Sequence, residues 1–373
     1  DVMFNTVDMA TLPRLLGLTS QDSTAESATN ADYLALPVRR GSPFSAYVPI
    51  MTGCNNFCTF CAVPYTRGEE VSRPSGAVLS EVRNLASRGY REITLLGQNV
   101  NAYIDPEEKH TAAITATRAR ARWEYRADVS TPRRSATTTL PKDFAELLRS
   151  ADAVPGDFWI RFLTSNPQDV SPELIAALPS LTKVTRYFHL PIQSGDDQVL
   201  RRMNRRHTRA DYLELVQKIR TSWPGVALTT DVIVGFPGET WKQFQNTLSL
   251  AEQVQYDMAF IAEYSPRPGT AAARFFPDDV PAAEKKRRWH ALNEVVKRSA
   301  LGRNTPLVGT TVRVLADRYS TRTQLYRGRT ETLKPIRFSA PTGLVGQFIP
   351  VKVTGATAWN LSGSVASNRK LRE

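Results

Sequence analysis

The chain has 373 residues, 41% hydrophobic and 23% charged, which is the make-up of a globular protein with a sizeable core. No apolar run approaches the ~20 residues of a membrane span, and Asp1-Val2-Met3-Phe4 lacks the basic-then-apolar pattern of a secretory signal. The net charge of +12 points to a polyanionic partner, nucleic acid before membrane, because no basic amphipathic helix is evident.

A chain that does not open on methionine is expected to begin inside a longer protein. Further along, β-branched runs at 47–52, 92–97, 158–164, 184–190, 227–234 and 259–264 read as strands. Amphipathic stretches at 76–87, 209–221 and 240–254 fall between them, the last with Trp241, Phe244, Leu248 and Ala251 near helical spacing. Six strand–helix alternations over 41–303 predict an α/β fold with parallel strands. A partial (βα)6 barrel suits them better than a Rossmann sheet, because no glycine-rich fingerprint follows the first strand. Functional residues are then expected at the C-terminal ends of the strands.

Two regions fall outside this rhythm. Residues 107–141 carry Arg118, Arg120, Arg122, Arg126, Arg133 and Arg134 among many Ala and Thr, an inserted loop that reads as a solvated excursion or a nucleic-acid arm. A helical stretch at 282–303 leads into residues 304–373, where runs at 311–315, 324–329, 346–353 and 358–362 predict a small all-β barrel. Eleven basic residues oppose three acidic ones there, which concentrates the charge on this unit.

All three cysteines, Cys54, Cys58 and Cys61, fall directly after the first strand, in Met51-Thr-Gly-Cys-Asn-Asn-Phe-Cys-Thr-Phe-Cys61. An odd, clustered set is no disulfide framework and reads as metal binding in a reducing compartment. The C-x3-C-x2-C spacing lets three thiolates wrap three irons of a 4Fe-4S cluster and leave a fourth open for chemistry. The alternative is zinc, completed by one of His110, His189, His207 and His290; none is near the cysteines in sequence, though folding could bring His189 in.

This spacing, with Phe60 before the third cysteine, resembles the radical S-adenosylmethionine superfamily. Cys61-Ala-Val-Pro-Tyr-Thr-Arg-Gly-Glu-Glu-Val-Ser-Arg-Pro74 is similar to its methylthiotransferase family. So are Leu96-Gly-Gln-Asn-Val-Asn101, His189-Leu-Pro-Ile-Gln-Ser-Gly195, Asp231-Val-Ile-Val-Gly-Phe-Pro-Gly-Glu-Thr240 and Tyr264-Ser-Pro-Arg-Pro-Gly-Thr270. The resemblance implies that the open iron binds the amino and carboxylate groups of S-adenosylmethionine, whose cleavage releases a 5′-deoxyadenosyl radical. It places Phe60 beside the adenine and sets Gly97, Gln98 and Asn99 against the methionine moiety. Gln193 and Ser194 fall near ribose or carboxylate, and Val234 and Gly235 at the adenine-contacting strand end. Arg67 and Arg73 would meet the cofactor carboxylate or RNA, while Tyr264 and Arg267 would clamp the substrate base. Each has a plain structural alternative: packing for Phe60, a turn for Gly97 to Asn99, an ion pair for Arg67 and Arg73. The run Arg201-Arg202-Met-Asn-Arg205-Arg206 reads as readily as a solvated helix end.

Within that family the motifs look most like the members that add a methylthio group to C2 of N6-isopentenyladenosine at position 37, beside the anticodon of tRNA. The C2–H bond is not acidic, so a cofactor-derived radical has to do the hard step. Relatives acting on threonylcarbamoyl-adenosine or on an aspartate of a ribosomal protein are alternatives, as is a non-catalytic RNA-binding protein with a structural cluster. The resemblance further implies a TRAM (OB-like) RNA-binding domain over 304–373 and the tRNA anticodon stem-loop as partner. It also implies flavodoxin or ferredoxin as electron donor, and a cytoplasmic monomer with no membrane contact. The family holds a second 4Fe-4S cluster on three more cysteines of an N-terminal domain, and this sequence has none outside 54–61. Residues 1–40 look like the remnant of that domain and a linker, so sulfur transfer is not expected of the chain as given. Asn166 stands in Thr164-Ser-Asn-Pro167 where histidine is expected.

Overall fold

The computed structural model describes residues 40–106 and 143–366, together with Leu34. The expectations for 1–39, for the insert at 107–141 and for Arg369, Lys370 and Arg372 lie outside them.

In chain order, β1 (Ser45–Pro49) and the short β2 (Met51–Thr52) lead into α1 (Val63–Arg67), β3 (Val71–Ser72), α2 (Ser75–Ser87) and β4 (Glu92–Leu96). Then come α3 (Phe144–Asp152), β5 (Trp159–Phe162), α4 (Pro172–Ala177), β6 (Tyr187–His189), α5 (Asp197–Arg202) and α6 (Arg209–Ser222). β7 (Ala227–Val234), α7 (Trp241–Val254), β8 (Met258–Glu263), α8 (Ala271–Phe275) and the long α9 (Ala282–Asn304) complete this layer. β1-β4-β5 and β6-β7-β8 each run parallel. A parallel bridge between Ile160 and Val184 joins the two halves. Among the described residues β1 and β8 do not pair, so the six strands form an open, partial barrel.

The central strands are covered on both faces and read accordingly, whereas β1 alternates and β8 is half exposed. Trp-Ile-Arg-Phe of β5 is buried from end to end, and four of five β4 residues are too. The helices begin where the sequence caps them. Thr208 and Asp211 make a reciprocal capping box at α6, and Thr240 and Gln243 make one at α7. At α5, Asp196 accepts from the backbone N–H groups of Gln198 and Val199.

Beyond α9, β9 (Thr311–Ser320), β10 (Leu325–Thr330), β11 (Pro335–Ser339), β12 (Phe348–Ala356) and β13 (Leu361–Val365) close into a barrel in the order β10-β11-β13-β12-β9. Its core holds Val314, Tyr326, Ile336, Phe338, Val351 and Leu361. Strand β11 is the element the sequence pattern does not announce. It is five residues long and opens on proline, which a strand accepts at its first position.

The small barrel sits against the N-terminal ends of the parallel strands. Arg161 of β5 is 2% exposed and forks across the junction. Its Nε donates to Glu92 at 2.6 Å, one Nη to Thr185 Oγ1 and the Glu331 carbonyl, the other to the Thr330 carbonyl. Arg329 reaches Glu92 at 3.0 Å, Lys334 reaches Asp257 at 2.5 Å and Arg313 reaches Asp157 at 2.5 Å. Phe348 of β12 meets Trp159 with ring centroids 4.6 Å apart. Part of the barrel's positive charge is therefore used in docking.

Candidate active site

At the opposite, C-terminal ends of the strands lies the cysteine loop. It leaves β2 through Gly53, whose φ of +75° and whose contact with Glu69 (an added Cβ would lie 2.0 Å from the Glu69 carbonyl oxygen) admit no side chain. Cys54, Cys58 and Cys61 are all partly buried. Burial pushes the Cys54 thiol up to about 11 despite hydrogen bonds from Asn56. Burial also raises Cys61, with Cys58 adding and Arg267 and Arg205 opposing. Two donors point at sulfur: the Asn56 amide at Cys54 and an Arg205 Nη at Cys58, each 3.5 Å away.

The rim above this loop holds polar atoms with nothing to bond. Gln98 Oε1 after β4, Ser165 Oγ and Asn166 Oδ1 after β5, and the Tyr264 hydroxyl after β8 are buried and lack a hydrogen-bond partner among the described residues. Each such atom costs roughly 1–3 kcal/mol unless a ligand satisfies it. Backbone strain collects at the same strand ends, with Thr164 at φ +67° and Gln193 at φ +69°.

The residues singled out by sequence divide. Phe60 packs with Val199, Met203, Phe236 and Tyr264 under the loop, which is its structural alternative. Gly97 gives room to Met51 and Gly235 to Lys285, whose side-chain atoms would each lie 2.4 Å from an added Cβ. Asn99 ties two rim loops together: its amide donates to Asp169 at 2.7 Å, and its oxygen accepts from the Asn166 N–H at 3.0 Å. Gln193 bridges the backbone of β7, donating to the Asp231 carbonyl and accepting from Ile233. Ser194 is fully buried and turned inward, its hydroxyl 3.4 Å from Thr247 and accepting from the Asp196 N–H. Val234 is core, the last residue of β7. Arg73 is held by Glu81 at 2.5 Å and by the Pro49 carbonyl, the ion-pair alternative, and Arg67 ends α1, partly buried. Tyr264 is 6% exposed, packed edge-on against Phe236, with its hydroxyl raised by burial and by Asp278. Arg267 is exposed and close enough to act on Cys61.

The donor set fits an iron–sulfur cluster. Thiols held up by burial shed their protons to a metal, and N–H donors aimed at the sulfurs then stabilise the thiolates. The zinc alternative loses its best histidine, because His189 commits one ring nitrogen to Thr229 at 2.9 Å and the other to Asp231 at 3.3 Å.

The profile of the Radical SAM superfamily matches residues 48–251. The tRNA-2-methylthio-N(6)-dimethylallyladenosine synthase of Thermoanaerobacter sp. (strain X514) is 40% identical over 371 residues, covering 98% of this chain and 72% of that protein. This chain belongs to that family. The synthase of Neisseria meningitidis serogroup B is 38% identical over 372 residues, covering 98% of this chain and 77% of its own length. Among solved structures, a likeness to the radical S-adenosylmethionine methyltransferase TsrM from Kitasatospora setae is loose: TM-score 0.45 and 14% identity, over 69% of this chain and 42% of that one. Membership of the radical SAM superfamily implies a 4Fe-4S cluster and S-adenosylmethionine.

Sequence reasoning passed over the turn at 202–205, which proves to be the loop's clamp. The Thr59 N–H and hydroxyl donate to the Met203 and Arg202 carbonyls at 3.1 and 2.9 Å. The Asn204 amide donates to the Asn56 and Phe57 carbonyls. Asn204 itself, at φ +56°, was the available signal: asparagine just past a helix takes the left-handed conformation that ends it, and α5 stops two residues earlier at Arg202.

The barrel presents a second feature. Arg327 of β10 lies directly across from Arg318 of β9 and from Arg337 of β11, and all three are exposed. Like charges opposite one another destabilise a sheet. Among the described residues no ion pair relieves these three. Arg318 and Arg327 also line a groove of about 620 Å³ between barrel and β1, with Arg40, Tyr47 and Arg329.

Proposed function

We propose that this chain uses a cluster held by Cys54, Cys58 and Cys61 to cleave S-adenosylmethionine, and thereby adds a methylthio group to C2 of N6-isopentenyladenosine at position 37 of tRNA. One observation carries the chemical half: three free cysteines on one short loop and four unsatisfied polar atoms lie at the C-terminal ends of the strands of a partial barrel. When bound, the cluster supplies the electron that breaks the cofactor's sulfonium bond. The chain's own residues do the positioning. Gln98, Ser165 and Asn166 offer the rim's free polar atoms to the cofactor, and Phe60 and Tyr264 pack together beneath the loop. Arg267 waits at the mouth for the substrate.

The small barrel is the TRAM domain of this reading, and the row Arg318, Arg327, Arg337 supports contact with the tRNA backbone there. A cytoplasmic setting and a flavodoxin- or ferredoxin-like donor accompany the chemistry. No described helix is long and apolar enough to cross a membrane. On this reading all three cysteines of the sequence are assigned to one cluster, and sulfur transfer would call on a second cluster whose ligands are not among them.

Anaerobic reconstitution with iron and sulfide, reduction, and addition of S-adenosylmethionine should yield 5′-deoxyadenosine. A fully loaded, reduced protein that forms none removes the radical reading and leaves the cluster as structural.

A further inference from the structure

The run Arg201-Arg202-Met203-Asn204-Arg205-Arg206 looks uniform in sequence, yet its members face different ways. Arg201 and Arg206 are exposed. Arg205 is drawn inward behind the turn made by Asn204, and its backbone N–H is fixed on the Leu200 carbonyl at 2.8 Å. One Nη lies 3.5 Å from Cys58 Sγ, and the other donates to the Pro191 carbonyl at 2.9 Å. Its Nε is buried with no hydrogen-bond partner among the described residues. The guanidinium is therefore wedged between the cysteine loop and the segment after β6, one prong on each.

We propose that Arg205 is a positioning residue that anchors the Cys58 sulfur and sets how readily the cluster accepts its electron. This rests on the cluster assignment above. An external one-electron donor is oxidised and the cluster is reduced by one electron, so the thiolate-bound group becomes one unit more negative. A fixed cation hydrogen-bonded to one of those sulfurs stabilises the more negative state further and raises the reduction potential. Arginine suits the position because its planar fork reaches the sulfur and the Pro191 carbonyl together, which a lysine ammonium on one stem does not. Arg267 acts on Cys61 by charge alone, from an exposed site.

The test compares wild type with Arg205→Gln, Arg205→Lys and Arg206→Gln, each the full chain, reconstituted anaerobically without S-adenosylmethionine. The readouts are iron per chain, circular dichroism, and the potential from a titration followed by electron paramagnetic resonance. Arg205→Gln should hold at least tenfold less reduced cluster at a given potential, a shift of about 59 mV to the negative for one electron. Arg205→Lys should fall between Arg205→Gln and wild type, and Arg206→Gln should match wild type. A wild-type potential in Arg205→Gln overturns the proposal, as does an equal shift in Arg206→Gln. If Arg205→Gln takes up no iron, Arg205→Lys decides: a potential below wild type supports the proposal, and loss of iron there too reduces Arg205 to a clamp. If wild type itself takes up no four-iron cluster, the assignment beneath the proposal fails instead.

Discussion

Arg161→Met offers the sharpest test of how the two parts of the molecule are joined. The substitution keeps most of the side chain's bulk and removes four donated hydrogen bonds at once. Breaking a buried ion pair by deleting one partner costs about 3–5 kcal/mol. Here the lower part of that range applies, because Glu92 retains Arg329 at 3.0 Å and the Ser45 hydroxyl at 2.9 Å. The Glu331 carbonyl loses a donor as well, roughly 1–3 kcal/mol when fully buried, while the Thr330 carbonyl keeps the Leu333 N–H at 3.0 Å. These terms share partners and do not add. A loss of about 4 kcal/mol is expected, a large part of the 5–15 kcal/mol that holds a typical domain. Urea unfolding followed by tryptophan fluorescence reads it, since Trp159 lies in the junction against Phe348. Acid supplies a second check. Burial pushes the Glu92 carboxyl up, but Arg161 and Arg329 outweigh it and hold it below its ordinary 4.5. A lowered carboxyl contributes stability above its unfolded value that is lost as pH falls through the folded one. The gap between wild type and variant should thus narrow on acidification below pH 4.5. A loss under about 1 kcal/mol at neutral pH, against the range expected for a buried pair, or a gap that widens in acid, would refute the reasoning.

Gly53→Ala should cut iron uptake severely, because the new Cβ needs both a left-handed backbone and the space of the Glu69 carbonyl. Gly76→Ala, in open space near the start of α2, is the control that should bind iron normally. Replacing Arg318, Arg327 and Arg337 by alanine should flatten the dependence of tRNA affinity on salt by about 0.7–0.9 logarithmic units for each phosphate that is no longer neutralised. An unchanged slope would place the RNA elsewhere.

The central parallel strands were legible because they are buried on both faces and so are written as short runs of mostly apolar residues, as Glu-Ile-Thr-Leu-Leu in β4 shows. The cysteine loop was legible for a different reason: its ligands are consecutive in one loop. The rim was not. Whether Ser194 faces a ligand depends on Thr247, 53 positions later, and Arg73 has its own acceptor on the next helix. Gly97 and Gly235 announced close approach correctly but not to what; Met51 and Lys285 occupy the space. The charge of the C-terminal unit misled in part, since the acids that neutralise Arg313, Arg329 and Lys334 include Asp157, Glu92 and Asp257 in the other layer.

The barrel and the cysteine loop occupy opposite ends of the same strands. The eight residues of β7 alone rise roughly 26 Å at ~3.3 Å per residue. On the proposed reading, an RNA gripped by the arginine row must run the height of the strands before a base can enter the rim. The protein then acts as a caliper. The length of the arm between grip and target base becomes part of what is recognised, alongside the identity of the base itself.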